Sequence, residues 1–213
     1  RHGQMHCRLV EGPNADSPVV LFHRTPVTSA SFDRLMQHLA GWRRLIAFDT
    51  PGFGQSFVPA ADAGMDLFLD AFVDALDGLG CHSWHLVGHH TGAHFATELA
   101  VRHPARALSL MIDGAMVPSD DERARIAPPP PDTVVDDQGD YARTAWAFLR
   151  PYYSVFDGRC IHDEYVGALA SQFTRSACMR LVRGHDMADL LASTTVPLIA
   201  SAARSEEHTS ELQ

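Results

Sequence analysis

The chain has 213 residues, of which 46% are hydrophobic, and its formal net charge at pH 7 is −9. This length allows one substantial core with a small additional subdomain. An acidic chain without a basic cluster argues against nucleic acid or an anionic membrane as partner. No apolar run reaches the length of a membrane span and no signal peptide is visible, so we expect a cytoplasmic protein.

Strand-like and helix-like segments alternate over the first half of the chain. Short apolar runs predict strands at residues 5–12, 18–23, 43–49, 83–89 and 107–115. Apolar residues at helical spacing, Leu35 among them, predict helices near residues 31–42, 65–79 and 91–103. This alternation is typical of a doubly wound, mostly parallel α/β sheet.

The alternation stops after residue 116. The segment that follows is polar and carries four consecutive prolines, which predicts a linker or surface loop. The pattern then predicts mostly helix over residues 141–191 and another apolar strand over 195–203. We therefore divide the chain into an α/β core at 1–116, a helical insertion at 117–191 and a returning core strand at 192–203.

The last ten residues, 204–213, read RSEEHTSELQ. This string is the in-frame translation of a common short-read sequencing adapter. We expect the natural gene fragment to end near Ala203 and the rest to be a library artefact of a metagenomic fragment. Residues 204–213 are therefore left out of the prediction of the fold.

One stretch, LVGHHTGAHFATELA at residues 86–100, has the glycine pattern of a sharp turn between a strand and a helix. Gly88 and Gly92 flank His90, and small residues at these positions let a helix pack closely on a strand. His90 is thus predicted at a helix N-terminus, at the carboxyl ends of the strands. Open α/β sheets bind ligands at that edge.

Three motifs in this order resemble the α/β-hydrolase fold family. VVLFHRTPVTSASFDRLMQHLA resembles its strand and HG-x-P loop, LIAFDTPGFGQS its D-x-P-G-x-G-x-S segment, and HLVGHHTGAHFATELAVRHP its nucleophile elbow. The helical insertion corresponds to the family's cap, and the capped hydrolases, dehalogenases and C–C hydrolases are the nearest group. The resemblance implies hydrolase-like or lyase-like chemistry without a cofactor. Its substrate would be a small, partly apolar organic molecule between cap aromatics such as Trp146 and the elbow.

Two positions depart from the family's pattern, and the first is Arg24, which replaces the glycine after His23. The resemblance implies that His23 and Arg24 line the substrate and that the main-chain N–H groups of Thr25 and Thr91 form an oxyanion hole. Such donors do not depend on side-chain identity, so the hole could survive the replacement. Arg24 either binds an anionic group of the substrate or is a solvated or salt-bridged cation.

The second departure is His90, which stands where the family has serine, cysteine or aspartate. Imidazole has an unperturbed pKa of about 6.5, and a helix N-terminus favours its neutral form. Its nitrogens reach farther from the main chain than a serine oxygen, which puts an attacked carbonyl too far from the oxyanion hole. We therefore favour His90 as a general base or substrate-orienting group over a covalent nucleophile.

The resemblance also implies a catalytic acid and a C-terminal histidine. Asp113 is the candidate acid after the family's sixth strand, although a structural aspartate also fits that position. The histidine would follow residue 203, so we expect the fold to be truncated at its C-terminus and this chain itself to be inactive. The alternative function is that of a non-catalytic relative that binds a small ligand beside His90.

Four histidines fall within ten residues, namely His85, His89, His90 and His94. The spacing of the last two resembles half of a zinc site, but no HExxH motif is present, and we predict no metal. His185 and Asp186 lie near the end of the helical insertion; they could line the pocket, but we expect both at the surface.

Overall fold

The computed structural model describes residues 3–119, 121–122, 135–153 and 157–202. A six-stranded sheet has the order β1-β3-β2-β4-β5-β6 within that part of the chain. Its strands are β1 (Cys7–Val10), β2 (Val19–Phe22), β3 (Leu45–Phe48), β4 (Trp84–His89), β5 (Ala107–Asp113) and β6 (Leu198–Ser201). β1 is antiparallel to β3, and the other neighbouring strands are parallel. The predicted doubly wound, mostly parallel sheet is confirmed.

The helices alternate with strands up to β5 and then follow one another. They are α1 (Asp33–His38), α2 (Met65–Gly78), α3 (Thr91–Arg102), α4 (Asp140–Leu149), α5 (Gly158–Ser171), α6 (Ser176–Arg183) and α7 (Met187–Ala192). The mostly helical prediction for residues 141–191 is therefore confirmed for the described part of that range. Its assignment as a cap, and the domain boundaries, stay predictions. The predicted adapter residues 204–213 lie outside the described residues.

Apolar side chains cover both faces of the sheet because successive residues of a strand point to opposite sides. Val20 and Phe22 of β2 belong to a large cluster that includes the buried faces of α2 and α3. Val19 and Leu21 belong to a smaller cluster on the other face, with Met36 of α1. Full burial of one such side chain contributes roughly 1.5–3 kcal/mol. The sheet is thus held between two apolar layers.

One detail of the predicted first helix is wrong. A 3-10 turn at Ser29–Phe32 precedes the α-helix, and Leu35, which we placed on the apolar face, is 41% exposed. Phe32 and Met36 are buried on the apolar face, and Leu35 lies at the edge of that face.

The strand order reverses beside β2, because β3 lies on one side of β2 and β4 on the other. The loop after β2 and the turn after β4 therefore leave the same edge of the sheet next to each other. Open α/β sheets bind ligands at this kind of switch point.

Candidate functional site

His90 forms the sharp turn between β4 and α3. Its φ of +49° and ψ of −113° lie outside the regions that residues with a Cβ ordinarily adopt. The main-chain N–H of His90 donates to the carbonyl oxygen of Asp113 at 2.7 Å, and the N–H of Ala93 donates to the carbonyl of His90 at 3.0 Å. The turn is thus anchored both to β5 and to the first turn of α3.

Two glycines make this turn possible. A Cβ at Gly92 would lie 2.1 Å from the carbonyl oxygen of Phe22, and one at Gly88 would lie 2.4 Å from the Cα of Ala93. Only glycine fits such approaches. The N-terminus of α3 consequently packs directly on the end of β2, which brings Thr91 to the loop after β2.

The two threonines that we predicted to form an oxyanion hole lie next to each other. The N–H of Thr25 donates to Thr91 Oγ1 at 2.6 Å, and the two hydroxyl oxygens are 3.0 Å apart. The Thr25 donor is therefore engaged by the Thr91 side chain. The oxyanion role of this pair stays a prediction.

His23 is buried under the loop after β2. Its Nε2 accepts a hydrogen bond from the N–H of Thr50 at 3.0 Å, so the proton is on Nδ1, which donates to the carbonyl of Arg24 at 2.9 Å. Burial lowers the pKa of this imidazole. Because both nitrogens bind main-chain groups, the ring supports the loop, and its predicted contact with substrate is untested.

Arg24 extends from this loop to α5 and forms an ion pair with Glu164. The two side chains are only 13% and 16% exposed. The guanidinium also lies 5.4 Å from the centroid of the Tyr152 ring. Burial and a hydrogen bond with Glu164 raise the pKa of Tyr153. Arg24 is thus a salt-bridged cation in this structure, and its predicted role in substrate binding stays a prediction.

The His90 ring is electrostatically unusual. Burial lowers its pKa to about 4, and His89 and Arg24 act in the same direction. The ring is therefore neutral at neutral pH, as predicted, although the main cause is burial. Its Nδ1 is buried and has no hydrogen-bond partner among the described residues.

The side chains of the predicted acid and of the predicted aromatic contact have partners other than the His90 ring. Asp113 is opposite His89 in the register of β4 and β5; its Oδ2 is 3.8 Å from His89 Nε2, and its Oδ1 accepts from Ser201 Oγ at 2.7 Å. Trp146 of α4 packs edge-to-face on Tyr165, with ring centroids 5.3 Å apart. The functional roles of Asp113 and Trp146 stay predictions.

The sequence analysis missed a polar chain beneath the turn. His94 Nδ1 lies 3.2 Å from His185 Nδ1, and His185 Nε2 lies 2.5 Å from Glu98 Oε1. The expected surface position of His185 is wrong, because its side chain is 16% exposed and packs against α3. The spacing of His94 and Glu98, four residues apart on one helix, was the available signal.

The described residues contain no group of three or more histidine, cysteine or acidic side chains arranged to hold a metal ion. His85, which we considered with the other histidines, pairs with Ser109 Oγ at 2.8 Å on the neighbouring strand.

A groove of about 370 Å³ lies away from the turn, between β1 and α2, and Met5, Phe48 and Leu79 contribute to its wall. None of the helices in the described ranges is long and apolar enough to cross a membrane.

The sequence pattern of the α/β hydrolase fold matches residues 17–149, which is more than half of the chain. The chain belongs to the α/β-hydrolase fold family. It is similar to 2-hydroxymuconate semialdehyde hydrolase of Pseudomonas sp. (strain CF600), with 38% identity over 105 residues, 47% of this chain and 37% of that protein. A haloalkane dehalogenase of Mesorhizobium japonicum is 39% identical over 100 residues, 45% of this chain and 31% of that enzyme.

Solved structures agree on the fold of this α/β-hydrolase family member. A hydrolase from Pseudomonas aeruginosa superposes with a TM-score of 0.76 at 17% identity and covers 94% of this chain and 76% of its own. A bromoperoxidase from Bacillus anthracis gives 0.75 at 19% identity, over 94% and 77%. The chain matches 37% and 31% of the length of the two curated relatives above.

Proposed function

We propose that this chain carries the base-bearing part of a hydrolase-like or lyase-like enzyme that acts on a small, partly apolar organic molecule, with His90 as the general base. The observation that supports this most directly is the strained turn at the sheet's switch point, which presents a neutral imidazole. Residues held at unfavourable φ and ψ values cluster at active sites, because the surrounding structure must hold them there.

A neutral His90 can remove a proton from water or from a hydroxyl group of the substrate. Its pKa of about 4 keeps the lone pair available at neutral pH but makes the free ring a weak base. Negative charge that develops on the substrate raises this pKa and so opposes the effect of burial. The N–H groups of Thr25 and Thr91 would bind that charge once the Thr91 hydroxyl turns away.

The remaining assignments belong to the same proposal. Asp113 serves as the catalytic acid, and Trp146 and the other aromatics of the helical segment cover the substrate. No cofactor, nucleic acid or membrane takes part, and the enzyme is cytoplasmic. Covalent attack by His90 is the less favoured mechanism, because a carbonyl attacked by an imidazole nitrogen would lie too far from the donors at Thr25 and Thr91.

A second candidate is a protein that binds a small ligand without turning it over. The hydrogen bond from the Thr25 N–H to Thr91 Oγ1 favours this alternative, because it occupies a donor that catalysis would need. His90 would then form a hydrogen-bonding wall of the ligand pocket.

A panel of esters and C–C hydrolase substrates, tested on the full-length protein of its gene because the 213-residue chain is expected to be inactive, separates the two. The expected result is turnover that falls at least about 100-fold in His90→Ala, which is the lower end of the contribution of a general base. His85→Ala is the control, because His85 lies on β4 before the turn and pairs with Ser109. Full turnover by His90→Ala would refute the base; ligand binding without turnover would support the second candidate.

A further inference from the structure

The groove between β1 and α2 is an apolar site outside the His90 turn. Its volume is about 370 Å³, and Met5, Phe48 and Phe57 are among the apolar residues of its wall. The main-chain N–H of Phe57 donates to the carbonyl of Gln4 at 2.9 Å, which joins the loop after β3 to the residues that lead into β1. Ligand pockets in proteins have volumes from about 300 Å³ upwards and mostly apolar walls. The groove therefore has the size and lining of a site for a small molecule.

Small side chains of α2 leave this space open. The helix packs large residues such as Phe72 into the core, whereas Ala71, Ala75 and Gly78, at helical spacing, line the groove. A Cβ at Gly78 would meet nothing within 4 Å. Folded proteins fill their apolar contacts nearly as densely as organic crystals do. The three small residues thus leave room at an apolar surface for an occupant from solution.

Asp74 adds a negative charge to the rim of the groove. It lines the groove from the exposed side of α2, close to the C-terminal end of that helix. The C-terminal end of a helix carries a partial negative charge that favours cations, yet the last turn of α2 has no basic residue. Asp77 nearby is compensated by an ion pair with Arg106. Asp74 has no ion pair or hydrogen bond within the described part of the chain, so its charge is left for a ligand.

The charge of the groove selects the class of ligand. An apolar body gains free energy by leaving water for the groove wall. A positively charged end can stay at the rim, where it meets the Asp74 carboxylate and the end of α2 without losing all of its water. An anion would be repelled by both, and by the net charge of −9 on the chain. A small amine that is protonated at neutral pH combines the two required parts.

We propose that the groove between β1 and α2 is a binding site for a small amine with an apolar body, whose ammonium group pairs with Asp74. This site is separate from the turn that carries His90 and does not depend on the proposed function of that residue. It gives the chain a second ligand, of a charge that the first site does not require.

The test is nuclear magnetic resonance of the 213-residue chain with ¹³C-labelled methionine methyl groups, titrated with hexylamine, hexanol or hexanoate. Met5→Leu identifies the Met5 signal by its loss. We expect hexylamine to shift this signal saturably and to bind about threefold tighter than hexanol, with hexanoate the weakest. Asp74→Asn should remove the preference for the amine. Asp70→Asn is the matched control, because Asp70 is exposed on the same helix but does not line the groove.

Gly78→Leu tests the groove itself, since its side chain enters open space and should abolish the response of Met5 to all three probes. Circular dichroism checks its fold, and Ala75→Leu replaces it if it does not fold. The absence of a saturable Met5 shift, or an unchanged preference in a folded Asp74→Asn variant, would overturn the inference. So would a Met5 signal that no longer responds in the full-length protein of the gene, because another part of that protein would then fill the groove. The titration needs no turnover, so the result for His90→Ala does not affect it.

Discussion

Arg24 and Glu164 form an ion pair across 140 residues of sequence, between the loop after β2 and the middle of α5. Both side chains are largely buried, and the Tyr152 ring lies beside the guanidinium. The pair ties the helical segment to the loop next to His90. Any substrate that reaches His90 from this side encounters a salt bridge that is already satisfied.

Removal of one partner of this pair should be strongly destabilising. Arg24→Met leaves the Glu164 carboxylate buried without its cation, and we expect the free energy of unfolding to fall by about 3 kcal/mol. Arg34→Met is the matched control, since the Arg34–Asp157 pair also joins α1 to α5 but its arginine is 67% exposed. Its loss should cost much less, because both charges are exposed to solvent. Urea unfolding checks both, and equal losses would contradict the role of burial.

Gly92→Ala should disrupt the close approach of α3 to β2. The added Cβ would lie 2.1 Å from the carbonyl oxygen of Phe22, which is a main-chain atom that cannot rotate away. We expect a loss of about 3 kcal/mol or more. Gly78→Ala, at the open end of α2, meets nothing within 4 Å and should be neutral or stabilising by up to about 1 kcal/mol. Thermal unfolding of the two variants measures the difference.

The strain at His90 can be measured by comparing two substitutions. His90→Ala and His90→Gly both remove the ring, but only glycine tolerates a φ of +49° at little cost. We expect His90→Gly to be more stable than His90→Ala by about 1–3 kcal/mol, the usual cost of such a backbone. At an ordinary position, an alanine variant is more stable than a glycine variant. If chemical denaturation gave that order here, the backbone at position 90 would relax once the ring is removed, and the strain would not be intrinsic to the turn.

Acid should destabilise the chain well above the pH at which carboxylates titrate. The pKa values of His90 and His94 are about 4 and about 3 in the folded state, below the value of about 6.5 expected when unfolded. The unfolded state therefore binds more protons as the pH falls below 6.5. Each histidine should lower the free energy of unfolding by about 1.4 kcal/mol per pH unit. Urea titrations between pH 6 and 5 should give a smaller slope for His94→Leu.

The low pKa of His90 also sets the pH range of turnover under the proposed function. The base is active while unprotonated, so kcat/KM should fall only as the pH drops towards about 4. Arg24→Met removes one of the charges that lower this pKa and should move the acid limb towards neutral pH; His89 remains as the other. An acid limb near 6.5 in the unmodified protein would contradict the burial of the ring.

The sequence predicted the sheet and the turn because both depend on local patterns. The apolar runs mark each strand. The glycines at 88 and 92 mark the tight turn between β4 and α3, where an added Cβ would clash with main-chain atoms. The prediction for Leu35 was wrong because this residue lies at the edge of the apolar face, and apolar spacing alone does not show how much of that face is buried.

The electrostatic partners of the site could not be predicted in this way. Glu164 lies on α5 and His185 lies between α6 and α7, and their contacts with Arg24 and Glu98 depend on how these helices pack. His185 was assigned to the surface because isolated histidines usually lie there. Only the tertiary structure shows that it is half-buried against α3.

Under the proposed function, the hydrogen bond between the Thr25 N–H and Thr91 Oγ1 discriminates between the bound substrate and the transition state. A neutral carbonyl oxygen accepts a hydrogen bond about as well as the Thr91 hydroxyl does, so a bound substrate gains little free energy by displacing the hydroxyl. An oxygen that acquires negative charge forms a hydrogen bond about twice as strong. The hydroxyl therefore competes with the ground state of a substrate and yields to its transition state, which makes it a built-in means of selective rate enhancement.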